Sequence, residues 1–243
     1  MKIILFGYGK MGHIIEEIAL SRGHEIVLKI DVENRKDIKP EDLKSGDVAI
    51  EFTAPDSAID NINLCLEAGV PVVVGTTGWY EKLEDVKKNV SDKNGSLVYA
   101  SNYSVGVNML FAMNKILAKW MNGFPDYHVE IEEVHHTQKL DSPSGTAISL
   151  ADGIIVNMDR KEGWQKQSID GQKPIEEELL KIVFDRKDEV SGIHKVRYTS
   201  EIDQIQISHE AFNRKGFAFG AVIAAEFIKN KKGIFTAHDI FGF

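Results

Sequence analysis

The chain has 243 residues, enough for one large domain or two modest ones. Hydrophobic content of 43% and charged content of 27% are those of an ordinary globular protein and exclude a disordered or fibrous chain. A formal net charge of -8 argues against a nucleic-acid partner, which selects clustered Lys and Arg, but leaves room for an anionic ligand held by a local field.

The first apolar run, residues 2–6, is too short for a signal peptide or a membrane span, and no later stretch is long enough, so no membrane association is expected. The run ends in the glycine-rich turn Gly7-Tyr8-Gly9-Lys10-Met11-Gly12. Helical spacing follows over residues 11–20 through Met11, Ile14, Ile15, Ile18 and Ala19, with Gly23 as its stop. Further strands are expected over 25–30, 47–52, 70–74 and 97–100. Between them, a helix capped by Ser57 runs to Ala68, with Gly69 just past its end, and a second helix covers 79–89. The single cysteine, Cys65, falls in the apolar pattern of the first of these, so a buried thiol in a reducing, cytoplasmic compartment is expected. Short buried strands alternating with helices predict a doubly wound parallel sheet with right-handed crossovers, and ligands beyond the carboxyl ends of its strands.

Gly7, Gly9 and Gly12 form G-x-G-x-x-G between a strand and a helix, the context that gives this pattern its meaning. The first glycine permits a tight turn, the second lets the backbone approach a pyrophosphate, and the third lets helix and strand pack closely. Asp31, at the end of the second strand, is placed to accept from ribose hydroxyls, which favours NADH, and nearby Arg35 is placed to soften its repulsion of a 2′-phosphate. Three more strand ends, at Phe52-Thr53-Ala54, Gly75-Thr76-Thr77-Gly78 and Ala100-Ser101-Asn102-Tyr103, are expected on the same sheet edge, with Tyr103 flanking a nicotinamide ring.

The pattern changes after Tyr103. A long helix is expected over 105–121, a strand over 126–134 despite Glu130, Glu132 and Glu133, and a helix over 143–156. Residues 157–192 are mixed and charged; 195–200 and 204–208 alternate like strands of a one-sided sheet, and 217–229 is an apolar helix.

The densest chemistry lies in Glu133-Val134-His135-His136-Thr137-Gln138-Lys139-Leu140-Asp141-Ser142-Pro143-Ser144-Gly145-Thr146-Ala147. Histidine is the usual acid–base group near neutral pH, Lys139 adds a cation, and the amides of a helix starting at Ser144, Gly145 and Thr146 suit an anion such as a carboxylate. The histidines are adjacent rather than four apart, so a metal site is not expected.

This segment resembles the E-A-H-H-x-x-K-x-D-A-P-S-G-T-A signature of the 4-hydroxy-tetrahydrodipicolinate (dihydrodipicolinate) reductase family, departing at Val134 and Ser142. Gly75-Thr76-Thr77-Gly78, residues 101–108, and Ile207-Ser208-His209 with Arg214 also resemble family segments. The glycine loop is one residue shorter than the common family form, and Asp31 replaces a Glu-Arg pair, so the choice of NADH or NADPH stays open.

The resemblance implies a Rossmann-like dinucleotide-binding domain over 1–103 and an α+β domain with an open mixed sheet over 104–213, for substrate binding and oligomerisation. Residues 214–243 are implied to return to the first domain, and the assembly is implied to be a homotetramer. It further implies reduction of a small cyclic dicarboxylate to tetrahydrodipicolinate in lysine and diaminopimelate biosynthesis. In that reading Lys139 donates a proton, His135 donates or accepts one, and His136, Gly145 and Thr146 bind substrate. The cofactor is held by Gly7, Tyr8, Gly9, Lys10, Met11, Gly12, Asp31, Gly75, Thr76, Thr77, Ala100, Ser101, Asn102 and Tyr103. Two rival readings are a different small-acid dehydrogenase on the same fold and a dinucleotide-sensing module without turnover.

Overall fold

The structure is a computed structural model and describes residues 1–171 and 174–243. The first hundred residues form β1 (Lys2–Phe6), α1 (Lys10–Ser21), β2 (Glu25–Ile30), α2 (Pro40–Leu43), β3 (Val48–Glu51), α3 (Pro55–Ala68), β4 (Val72–Val74), α4 (Leu83–Asp92) and β5 (Ser96–Tyr99). They are followed by α5 (Val105–Met121), β6 (His128–His135), α6 (Gly145–Ile155), β7 (Gly163–Ser168), β8 (Leu179–Arg186), β9 (Ile193–Thr199) and β10 (Gln204–Glu210). The chain ends with α7 (Lys215–Ile228), β11 (Gly233–Phe235) and α8 (Ala237–Phe241). It divides into two compact units, one of Met1–Val105 with Arg214–Phe243 and the other of Gly106–Asn213.

The first unit is a six-stranded sheet in the order β11-β5-β4-β3-β1-β2, with every pair parallel. Its central strands are mostly apolar because both faces are covered, whereas the edge strand β2 carries exposed Glu25 and Lys29. Ile4, Phe6, Ala49, Val72, Val74 and Leu97 pack towards α3 and α4, while Ile3, Leu5, Val48, Ile50, Val73 and Val98 pack towards α1 and α7. β1 lies between β2 and β3, so strand order reverses there, and the loop after β1 opens at the switch point where such sheets bind ligands. Cys65 is buried, as expected.

Two local expectations are corrected. Helix α3 begins at Pro55, with Ala54 as a cap lacking a side-chain hydrogen bond, instead of at a Ser57 cap; proline suits a first helical position because the missing N–H has no partner there. The segment expected to be one helix over 79–89 is a short 3₁₀ turn, Tyr80–Lys82, followed by α4.

The second unit is a mixed sheet in the order β10-β9-β6-β8-β7. β6 is antiparallel to β9 and parallel to β8. Val129, Ile131, Leu180, Ile182, Val196 and Tyr198 form its core with residues of α5 and α6. The glutamates of β6 divide by strand alternation. Glu130 and Glu132 lie on the polar face and pair with Lys181, Lys195 and Arg197. Glu133 points to the opposite side and is completely buried. Two strands, β7 and β8, occupy the stretch whose sequence pattern was mixed. Among the described residues, no helix is long and apolar enough to cross a membrane.

Candidate active site

In the first unit the turn after β1 is fixed by its backbone. Gly7 has φ +88°, and a Cβ there would lie 1.9 Å from the Phe52 carbonyl oxygen, so the end of β1 is pressed onto the end of β3. Gly9 differs: a Cβ there would meet nothing within 4 Å, so its lack of a side chain leaves open space rather than serving protein packing. Gly9 caps α1 without a side-chain hydrogen bond, and no acidic residue follows in the first turn. That helix end presents unsatisfied amides and positive dipole to the open space, which fits a pyrophosphate. Beside it, Met11, Phe52, Thr53, Pro55, Gly75, Thr76 and Thr77 line a cavity of about 260 Å³. The Thr76 hydroxyl accepts the Thr53 amide at 2.8 Å, which joins the ends of β3 and β4.

Tyr8, in the middle of the loop, donates to Glu16 and accepts from Lys29, which in turn pairs with Glu16 at 2.7 Å. This anchoring of the loop to α1 and β2 had no signature in the sequence. Lys10 is exposed at the start of α1. Asp31 follows β2, and its Oδ1 accepts the amides of Glu33 at 2.9 Å and Asn34 at 3.4 Å. Arg35 is anchored on α3: its Nε donates to Asn61 Oδ1 at 2.5 Å, and a terminal nitrogen donates to the Asp60 carbonyl at 3.3 Å.

Ala100 is buried and Ser101 exposed after β5, and Asn102 Oδ1 accepts the Ser104 amide at 2.8 Å. The Tyr103 side chain is a core group, a correction to its placement beside a ring. It is 2% exposed, and its hydroxyl donates towards the Val74 and Val98 carbonyls at 2.9 and 3.3 Å.

In the second unit β6 ends at His135, and strand alternation puts His135 on the same side as buried Glu133. A turn follows in which the Lys139 amide donates to the His136 carbonyl at 3.1 Å. Lys139 Nζ donates to both carboxylate oxygens of Asp141, at 2.8 and 2.7 Å, which holds that carboxyl below the usual range. After a cis Ser142–Pro143 bond, Ser144 caps α6 and its hydroxyl accepts the Ala147 amide at 3.2 Å. Gly145 and Thr146 are therefore the first residues of a helix, where amides point outward along a positive dipole end. The segment thus gathers an imidazole, an ammonium and a helix N-terminus.

Burial pushes the pKa of His135 down; Glu133 opposes that, and Lys139 and Arg186 add to it. His135 Nδ1 is buried without a hydrogen-bond partner, and the ring lies edge-on to His194, with centroids 5.0 Å apart. Donor atoms of Glu133, His135 and His194 lie within 4.8 Å of one another, the spacing of a potential cation site. Their chemistry does not fit one. Glu133 already accepts the Ser144 amide at 3.0 Å and faces the Arg186 guanidinium at 3.4 Å, and His194 Nε2 lies 3.0 Å from the Ser144 hydroxyl. His194 is not picked out by the sequence as part of the site; Ser144 is read there only for its amide, and Glu133, two strand positions before His135, only as a neighbour of the histidines. Arg186 lies in the mixed stretch and gave no signal.

A doubly wound sheet with a glycine turn at its switch point, accompanied by a second unit carrying an acid–base cluster, has the build of a dinucleotide-dependent oxidoreductase. Residues 1–103 match the family described as dihydrodipicolinate reductase, N-terminus, and residues 106–241 its C-terminus. The chain belongs to the dihydrodipicolinate reductase family. It is 46% identical over 242 residues to a 4-hydroxy-tetrahydrodipicolinate reductase of Christiangramia forsetii, covering 99% of this chain and 97% of that one. It is 30% identical to the protein of the same name from Methanococcus vannielii, covering 96% of each. Its fold matches a dipicolinate-bound dihydrodipicolinate reductase from Paenisporosarcina sp. TG-14 with a TM-score of 0.78 at 24% identity, over 98% of both chains.

Proposed function

We propose that this chain reduces 4-hydroxy-tetrahydrodipicolinate, or its dehydrated form dihydrodipicolinate, to tetrahydrodipicolinate in lysine and diaminopimelate biosynthesis, using NADH or NADPH. The observation that carries the reading is the close succession of His135, His136, Lys139 and the α6 N-terminus at Gly145 and Thr146. A planar ring with two carboxylates needs cations and amides for the carboxylates and a proton source for the ring. In this reading Thr146, Gly145 and His136 hold the substrate, Lys139 delivers the proton, and His135 exchanges it. Burial disfavours the charged form of His135, so at neutral pH its part is to accept or pass a proton rather than to hold one.

When bound, the nicotinamide supplies the hydride. With one ring carbon reduced, the electrons shift across the conjugated system and a neighbouring ring carbon takes the proton. The amides opening α1 and the polar ends of β3, β4 and β5 orient the dinucleotide. We place the reaction in the cytoplasm and the chain in a homotetramer. In support of the latter, the outermost strand β10 carries a half-exposed Ile205, and the face bearing Glu130 and Glu132 has no covering helix among the described residues.

The direct test is absorbance of NADH and NADPH with freshly generated substrate. Oxidation with at least one is expected, and oxidation with neither overturns the reading. Lys139→Ala is expected to lower turnover far more than nucleotide affinity. Light scattering on purified protein reads the tetramer.

A further inference from the structure

Glu133 and Arg186 form an ion pair at 3.4 Å inside the second unit, with the carboxylate wholly buried. Its connections reach beyond the pair. Glu133 Oε2 accepts the amide of Ser144, the cap residue of α6, at 3.0 Å. The Arg186 Nε donates to the Lys139 carbonyl at 3.2 Å, and one terminal nitrogen donates to the Asp141 carbonyl at 2.7 Å. The other donates to the carbonyl of Asp185 at 2.9 Å, which fixes the guanidinium to its own strand. Arg186 also stands opposite His135 in the register between β6 and β8.

One buried pair therefore touches the backbone on both sides of the turn from Lys139 to Ser144 and lies beside His135. A guanidinium presents a planar fork of five donors, so a single side chain can hold several carbonyls at fixed angles. A buried carboxylate demands partners, and the Ser144 amide and Arg186 supply them.

We propose that Arg186, paired with Glu133, is a positioning residue for the reaction: it clips the Lys139–Asp141 turn and the α6 N-terminus to β6, so that ammonium, imidazole and helix amides converge on one dicarboxylate. The inference rests on the reading of this segment as the reductase's substrate site. Neither residue reaches the substrate in this role; they set where Lys139, Gly145 and Thr146 stand.

The test compares wild type with Arg186→Met and Arg186→Lys. For each, kcat and KM for the substrate, the dissociation constants of dipicolinate and of the reduced nucleotide, and the thermal midpoint are measured. Misplacing reacting groups by about an ångström costs on the order of a hundredfold in rate. Arg186→Met is therefore expected to lower kcat/KM by about that factor and to weaken dipicolinate, with nucleotide affinity within about twofold of wild type. Arg186→Lys keeps the charge but not the fork, so it is also expected to lose at least about tenfold in kcat/KM.

The pH profile separates charge from geometry. His135 is faced by Glu133 on its own strand, Arg186 on β8, Lys139 and Asp141 on the turn, and His194 on β9. Arg186 disfavours its protonation, so Arg186→Met moves the His135 limb to higher pH, whereas Arg186→Lys leaves it near the wild-type position. Wild-type rates in both variants overturn the clip, as does a loss of nucleotide affinity in proportion to the loss of rate. If Arg186→Met does not fold, Arg186→Lys decides alone. An inactive wild type fails the reductase reading, whereas an active wild type with active variants fails the clip.

Discussion

The hydroxyl of Ser144 lies 3.0 Å from His194 Nε2 and also accepts the Ala147 amide at 3.2 Å. A hydroxyl can accept twice and donate once, so Ser144 bonds Nε2 in either tautomer of a neutral His194 while still capping the helix. Burial, with lesser contributions from His135 and His209, pushes the pKa of His194 down to about 3. Its 3.8 Å approach to Glu133 is thus a contact of a neutral ring with a carboxylate, not an ion pair.

A pH dependence of stability follows. Unfolded, His194 protonates near the ordinary histidine pKa of about 6.5, while folded it stays neutral to about pH 3. Between those values the unfolded state binds more protons, so stability falls as pH is lowered through the window and is fully present above it. Urea unfolding of wild type and His194→Gln at several pH values checks this. The variant is expected to show a shallower slope between about pH 6.5 and pH 4; equal slopes would remove His194 as the cause.

Ser144→Ala removes an N-cap and leaves His194 Nε2 without its hydroxyl partner. Loss of a cap costs about 1 kcal/mol, and an orphaned buried polar nitrogen about 1–3 kcal/mol. The expected destabilisation is about 2–4 kcal/mol by denaturant unfolding. Since Gly145 and Thr146 follow directly, KM for substrate is expected to rise as well. Ser144→Thr keeps the hydroxyl and is expected to restore most of both.

Much of this is legible in the amino-acid sequence. The apolar strands of the first unit announce themselves because both faces are buried, and Gly7, Gly9 and Gly12 read as a nucleotide turn because a strand precedes them and a helix follows. The His135–Lys139 segment is local in sequence, so its chemistry is readable as a string. What was hidden depends on long-range pairing. Arg186 reaches Lys139 and Asp141 only because β8 pairs with β6, and nothing around Arg186 forecasts that register. Tyr103 was misplaced because a tyrosine after a strand end looks the same whether its ring faces solvent or turns back into the core. The anchoring of Arg35 is hidden for a related reason: its partner Asn61 lies on α3, outside the local window.

The two loop glycines make opposite demands. Gly7→Ala places a methyl group 1.9 Å from the Phe52 carbonyl at a positive φ, so it is expected to destabilise the folded chain by several kcal/mol, on the order of 4 or more. Gly9 has φ -86° and an open surrounding, so Gly9→Ala is expected to change stability by less than about 1 kcal/mol. Its expected effect is on the nucleotide: loss of close approach weakens binding by at least about tenfold, or 1.4 kcal/mol. Thermal unfolding and fluorescence titration with NADH read the two separately, and unchanged NADH affinity in Gly9→Ala would remove that loop from the nucleotide site.

Tyr103 gives a further separation of fold from chemistry. Tyr103→Phe deletes a buried hydroxyl between the Val74 and Val98 carbonyls while keeping the ring. The expected cost is about 0.5–1.5 kcal/mol in unfolding, with kcat and KM unchanged. A fall in kcat without loss of stability would return Tyr103 to the reaction.

In the proposed reading Asp31 meets the nucleotide's ribose through its charge, and it also holds the turn after β2 by accepting the Glu33 and Asn34 amides. Asp31→Ala alters both at once, so a change in its kinetics has two explanations. Asp31→Asn keeps an acceptor oxygen for the turn and removes only the negative charge. A carboxylate repels a 2′-phosphate, and the Arg35 side chain is hydrogen-bonded to Asn61 and the Asp60 carbonyl, not to Asp31. Removing the charge is therefore expected to raise kcat/KM with NADPH relative to NADH by about tenfold, the equivalent of 1.4 kcal/mol, with the thermal midpoint nearly unchanged. Measuring kcat/KM for both nucleotides in wild type and Asp31→Asn checks this; an unchanged ratio would place the 2′ position of the ribose away from Asp31.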